Sequence, residues 1–183
     1  MAALVVDGSM LLLAIIARAA SVGVGLIFLI AGMDQWRHRA LLPGVMANYR
    51  LLPGTLVTPA ARALPVVEMA LGGALLLGLV PFATVAAILL LALFAIAMAI
   101  NIRRGRGHID CGCGHGALRH PIGWSLVARN LGLAALLAPV LFMPAPLSPR
   151  DMASAFAMGL AIVLLSHLFQ SLGALATSPL HRR

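Results

Sequence analysis

Long apolar runs, separated by short stretches that hold nearly all of the charge, organise this chain. A helix needs about 20 predominantly apolar residues to cross the hydrocarbon of a bilayer. Runs at about 11–33, 60–80, 82–102, 124–142 and 152–176 reach or approach that length. The first is interrupted by Arg18, whose long side chain can reach the headgroups if the apolar core begins at Ala19. Only Pro81 and its neighbours separate the second and third runs, which predicts a tight antiparallel hairpin. Pro144, Pro146 and Pro149 end the fourth. The pattern predicts an all-α, polytopic membrane helical bundle. It forms a single domain over 1–183, with four core spans and a fifth at the C-terminus.

Two polar connections stand out. The segment 34–63 carries Arg37, Arg39, Arg50 and Arg62 and the breakers Pro43-Gly44 and Pro53-Gly54. Between the breakers, Val45, Met46, Tyr49 and Leu52 fall on one face at helical spacing, and Pro43 suits a first helical turn. This predicts a short helix lying at the membrane interface. The second connection, 101–123, is rich in Arg, His and Gly. Nothing at the N-terminus reads as a cleaved leader, because Asp7 replaces the usual basic residues and the apolar run is too long.

Composition agrees with lipid as the solvent. Of 183 residues, 62% are hydrophobic and 10% charged, against roughly 45–50% and 25% in soluble domains. The net charge is +8, with arginine as the basic residue throughout. A basic chain can signal nucleic acid, but these arginines sit between apolar runs and aromatics are only 5%. Membrane topology explains them better. With five spans, one side holds Arg37, Arg39, Arg50, Arg62, Arg103, Arg104, Arg106, Arg119, Arg182 and Arg183, and the other holds Arg18 and Arg150. Cytoplasmic loops carry the excess of basic residues. The N-terminus is therefore expected outside, with both long connections on the cytoplasmic side of a bacterial inner membrane.

The chemistry gathers in the second connection. Both cysteines of the chain lie in Asp110-Cys111-Gly112-Cys113-Gly114. A Cys-Gly-Cys pair can close on itself through the flexible Gly112. So small a ring is strained and easily reduced, which suits electron exchange better than a structural staple. Arg103, Arg104, Arg106 and Arg119 lie nearby in sequence and favour the thiolate, while Asp110 opposes it. A second reading is metal binding, with His108, Cys111, Cys113 and His115 as zinc or copper ligands. A third is a glycine-rich loop with two ordinary thiols. Within the spans, Glu68, Arg129 and Asn130 are the polar residues of interest. Glu68 pairs with Arg18 or Arg129 if those helices are neighbours, and Arg129 otherwise serves as an anchor. His167 is expected to pack in the interior. No haem, flavin or nucleotide motif is evident, and quinone sites carry no dependable sequence signature.

Three elements resemble a known family. They are Tyr49-Arg50-Leu51-Leu52-Pro53, then Asn101-Ile102-Arg103-Arg104-Gly105-Arg106 with Ile109-Asp110-Cys111-Gly112-Cys113-Gly114, then Trp124-Ser125-Leu126-Val127-Ala128-Arg129-Asn130. In this order they resemble the methylamine-utilisation MauE family, within the DoxX-like membrane proteins, over about 17–142. The resemblance implies a role in maturing the exported, disulfide-rich small (beta) subunit of methylamine dehydrogenase. It also implies a thioredoxin-like, MauD-type partner, with Cys111 and Cys113 passing electrons to or from it. Gly114-His115-Gly116 departs from the Phe-Gly expected after the second cysteine.

The expected function is thus assistance in disulfide formation by a membrane-embedded dithiol, with Cys111 reacting first and Cys113 resolving. The alternatives are a non-catalytic scaffold or chaperone for partner and client, and a metal-handling membrane protein. One conflict stands: the charge count puts the cysteines inside, whereas the client is exported. A loop that folds into the bundle would ease it.

Overall fold

The computed structural model describes residues 8–79, 81–112, 121–142 and 148–176. Its elements are α1 (Gly8–Arg37), α2 (Leu42–Tyr49), α3 (Gly54–Leu77), α4 (Phe82–Arg103), α5 (Trp124–Leu137), continued as a 3₁₀ turn over Ala138–Leu141, and α6 (Pro149–Ala176). Five helical segments are long and apolar enough to cross a membrane. The protein is an all-α, multi-pass membrane bundle.

The helices run past the apolar boundaries at the loop end. α1 continues through Asp34, Gln35 and Trp36 to Arg37, and α3 starts at Gly54 and carries Pro59 and Pro65 inside it. Polar residues beyond the hydrocarbon can stay helical where neighbouring protein satisfies them. Helix-interior prolines are tolerated in spans because surrounding helices compensate for the lost hydrogen bond.

Small residues set the main helix contact. A Cβ added to Gly72 would lie 2.6 Å from the Gly25 carbonyl oxygen, and one on Gly32 would lie 2.8 Å from the Pro65 carbonyl oxygen. The backbones of α1 and α3 therefore touch, as glycines allow in membranes. α6 lies on the other side of α1, where a Cβ on Gly159 would sit 2.6 Å from Val22 Cγ1. α4 packs chiefly on α5.

Two apolar clusters divide the bundle along its length. One joins Ala17, Ala20, Val24 and Phe28 of α1 with Leu75, Ala83, Ala87, Leu91, Leu133, Leu137 and Val140. It welds α1, α3, α4 and α5 at the end where the α3–α4 hairpin turns. The other joins Ala95, Met98, Ile109, Ile122, Leu126 and Val127. It belongs to α4, α5 and the second connection, and takes in no residue of α1 or α3. The bundle is closed at the hairpin end and split at the other.

Arg18 reaches across to the end of α3, beside the hairpin that joins it to α4. Its Nη2 donates to the Leu76 carbonyl at 2.7 Å and its Nη1 to the Leu75 carbonyl at 3.3 Å. Gly78 ends α3 in the left-handed conformation, φ 75°, leaving carbonyls that a guanidinium satisfies and whose partial negative charge favours it. Arg18→Leu is expected to lower stability by about 1–2 kcal/mol, and Arg18→Lys by less. Thermal midpoints of the purified variants would test this; an unchanged midpoint for Arg18→Leu rules out the capping role. His167 is exposed, contrary to the expected interior packing. α6 meets α1 through Ala155, Gly159, Val163 and Ser166, and His167 lies beside that stripe.

Candidate cysteine site in the split end of the bundle

The second connection folds back into the helices. Its neck is pinned by a bridge between Asp110 and Pro121 and by the Ile122 N–H donating to the Ile109 carbonyl at 2.9 Å. Ile109 and Ile122 are buried there. These contacts carry Cys111 beneath α2 and against the second cluster. Cys113, His115, His120 and Arg119 lie outside the described residues.

Two side chains hold the cysteine turn by its backbone. The Tyr49 hydroxyl donates to the Cys111 carbonyl at 3.2 Å, and Gln35 Nε2 donates to the Gly112 carbonyl at 3.5 Å. Gly112 has φ 75°, and a Cβ there would lie 3.1 Å from Val45 Cγ1. The Cys-Gly-Cys turn thus uses a conformation that glycine adopts without penalty. Arg106 joins the two connections. Its Nη1 donates to Asn101 Oδ1 at 3.1 Å and reaches the Tyr49 carbonyl at 3.5 Å. Arg103 and Arg104 are exposed. The arginine that the structure ties to the cysteine turn therefore acts through Tyr49.

Beneath this turn is a cavity of about 200 Å³. It is lined by Gln35 of α1, Val45, Met46 and Tyr49 of α2, Glu68 of α3, Leu93, Phe94, Ala97 and Met98 of α4, and Cys111 and Gly112. The apolar face of α2 lines this cavity, and Leu52 does so with it. Helical spacing shows which side chains share a face, not what that face meets. Glu68 is 2% exposed and lies with Cys111 around the same space.

The expected partners of Glu68 are engaged elsewhere. Arg18 caps α3, and Arg129 Nη2 donates to Asn130 Oδ1 at 3.1 Å. Glu68 sits ten residues before Gly78, where Arg18 is held, so a helical rise of about 1.5 Å per residue separates them by about 15 Å. Asn130 is buried and Arg129 half-buried; neither lines the cavity. His108 is exposed. Among the described residues, no three His, Cys, Asp or Glu side chains converge as metal ligands.

Gln35 was not anticipated from the sequence. It lies just past the first apolar run, yet it is 3% exposed. The signal was available: Gly25, Phe28, Gly32 and Gln35 follow helical spacing, and all four are buried on α1. A glutamine that ends such a stripe faces protein.

The family described as methylamine utilisation protein MauE matches residues 12–143. The chain is 40% identical to the methylamine utilization protein MauE of Paracoccus denitrificans over 159 residues, covering 85% of this chain and 86% of that protein. It is 38% identical to that of Methylophilus methylotrophus over 162 residues, covering 85% and 83%. It is 39% identical to that of Methylorubrum extorquens over 140 residues, covering 74% and 75%. No solved structure matches. The matched region takes in all of the cavity-lining residues and both cysteines, and on that coverage and identity the chain belongs to the MauE family.

Proposed function

We propose that this protein is a membrane-embedded dithiol that assists disulfide formation in an exported enzyme. Its relatives are named for methylamine utilisation, so the client we favour is the small (beta) subunit of methylamine dehydrogenase. A thioredoxin-like, MauD-type protein is the partner that links the two. The membrane is the bacterial inner membrane, and the arginine count favours a cytoplasmic side for the cysteine connection.

The observation that carries this reading is the placement of Cys111. It is held by its backbone at the wall of a cavity inside the split end, rather than on an open loop. A cysteine held in a fixed backbone geometry suits directed exchange. A thiolate of the partner attacks the Cys111–Cys113 disulfide at Cys111, and Cys113 leaves as a thiolate. The partner's second thiolate then displaces Cys111. The partner loses two electrons and two protons and gains a disulfide, which it passes to the client, and the pair here becomes a dithiol.

The test is client maturation in cells carrying Cys111→Ser, Cys113→Ser or both. Each single variant is expected to abolish it, with the membrane protein present at its normal level. Cys113→Ser removes the disulfide that the partner attacks, so the partner is expected to accumulate in its reduced form. Full maturation by the double variant sinks the dithiol and favours the scaffold reading. Metal that copurifies in stoichiometric amount and is lost with the cysteines favours metal handling.

A further inference from the structure

The cavity is lined from α3 and from α4, two helices that pack on different neighbours. α3 packs on α1 and α4 packs on α5, whereas α3 and α4 touch little despite the short hairpin that joins them. Glu68 lines the cavity from α3, and Leu93 and Phe94 line it from α4. Leu93 is 59% exposed, and Leu51 and Leu52 beside it are exposed as well. These exposed leucines stand at the edge of the cavity. Such a cleft would let a molecule dissolved in the bilayer reach Cys111 without crossing water.

One group inside is left unsatisfied. Gln35 Oε1 is buried and has no hydrogen-bond donor among the described residues, while its Nε2 holds the Gly112 carbonyl. A buried acceptor without a donor is costly, so a donor on the occupant would complete the site. The remaining walls are mostly apolar. At about 200 Å³ the space is smaller than the roughly 300–1,000 Å³ that encloses a drug-sized ligand. It suits one flat ring whose tail passes Leu93 into lipid.

We propose that this cavity binds the ring of a lipid-soluble quinone, which takes two electrons and two protons from the reduced Cys111–Cys113 pair. The proposal rests on the dithiol reading above, which leaves the pair reduced after each turnover and in need of an acceptor. The step balances without a further reactant. Two S–H bonds break and one S–S bond forms, and the two quinone carbonyl oxygens become the hydroxyls of a quinol. One of those hydroxyls supplies the donor that Gln35 Oε1 lacks. A quinone offers Gln35 a donor only once reduced, so the site favours the quinol and with it the forward transfer, whereas a phospholipid acyl chain offers no donor in any state.

The test uses the full chain in lipid nanodiscs with its cysteines reduced, mixed with a short-tailed benzoquinone and followed by ultraviolet absorbance. One quinone is expected to be consumed per protein, at a rate that saturates with quinone concentration. Leu93→Trp adds bulk at the edge of the cavity and is expected to raise the half-saturating concentration at least tenfold. Leu164→Trp adds the same bulk on the exposed face of α6 and should match the parent. Gln35→Leu is expected to weaken binding of the corresponding quinol roughly fivefold, the loss of one hydrogen bond, and to leave quinone binding unchanged. Binding is measured separately on Cys111→Ser by equilibrium dialysis, where it should persist and be lost on adding Leu93→Trp. Binding or consumption indifferent to Leu93→Trp overturns the cavity as the site. A quinone that neither binds nor reacts, in a protein whose cysteines are required for maturation, overturns this inference alone. Full maturation by the double serine variant overturns the dithiol reading and electron transfer with it; the dialysis result then decides the binding site.

Discussion

Gly72→Leu is expected to leave almost no folded protein in the membrane. Gly72 faces α1 so closely that even an added Cβ would lie 2.6 Å from the Gly25 carbonyl oxygen and 2.9 Å from the Leu29 nitrogen. Those atoms are backbone and cannot swing aside as a side chain can. The helices must separate, and with them go the close contacts at Gly25 and Gly32. Without a strong hydrophobic drive between helices in lipid, such packing is much of what holds them together. Gly72→Ala is the graded form, with a loss of about 1–3 kcal/mol from overpacking. Its neighbour Gly73 provides the contrast, because a Cβ there meets nothing within 4 Å. Gly73→Ala should be neutral or gain up to about 1 kcal/mol from helix propensity. Size-exclusion profiles and thermal midpoints of tagged protein would separate the two. If Gly72→Ala and Gly73→Ala behave alike, the α1–α3 backbone contact is not what holds the bundle.

Gly112→Val should reduce client maturation at least tenfold while the protein still accumulates in the membrane. Gly112 lies at the split end and outside both apolar clusters, so the bundle does not depend on it. Its φ of 75° costs an L-residue about 1–2 kcal/mol, and more for a β-branched one. The added Cβ also meets Val45 at 3.1 Å. An energy of about 1.4 kcal/mol is already tenfold in the population of the held turn. Gly112→Asn should be milder, since asparagine tolerates this region better. Adding Val45→Ala to Gly112→Val should relieve the contact but not the backbone cost, giving partial recovery. Full maturation by Gly112→Val would show that the observed turn is not the working one.

The spans were legible because lipid imposes a length and leaves a chain of this composition few other structures. The short helix before Tyr49 was legible too, from Pro43 and the spacing of Val45, Met46 and Tyr49. Its role was not, because an apolar face reads the same whether it meets lipid or a cavity. The capping contact of Arg18 was not legible for a related reason. Sequence shows that an arginine needs a partner, but only the fold shows that α3 ends beside it at Gly78. The cysteine turn was recognised from its residues. That it folds inward depends on long-range contacts from Gln35 and Tyr49, 77 and 62 residues away from the carbonyls they hold. Local pattern carries no information on such distances.

The uneven closure of the bundle has a mechanical consequence. α4 has 22 residues and is therefore about 33 Å long. The first cluster holds its hairpin half and the second packs its far half on α5, so α4 and α5 tilt together, about the hairpin end. A tilt of about 3° about that pivot moves the far end of α4 by about 1.7 Å, close to the radius of a methyl group. At Leu93, halfway along α4, the same tilt is about 0.9 Å, so torques applied at Phe82 or Thr84 would change the aperture beside Leu93 and Cys111 by about that much. Residues more than 20 Å from the cysteine, by helical rise, set how wide its door stands.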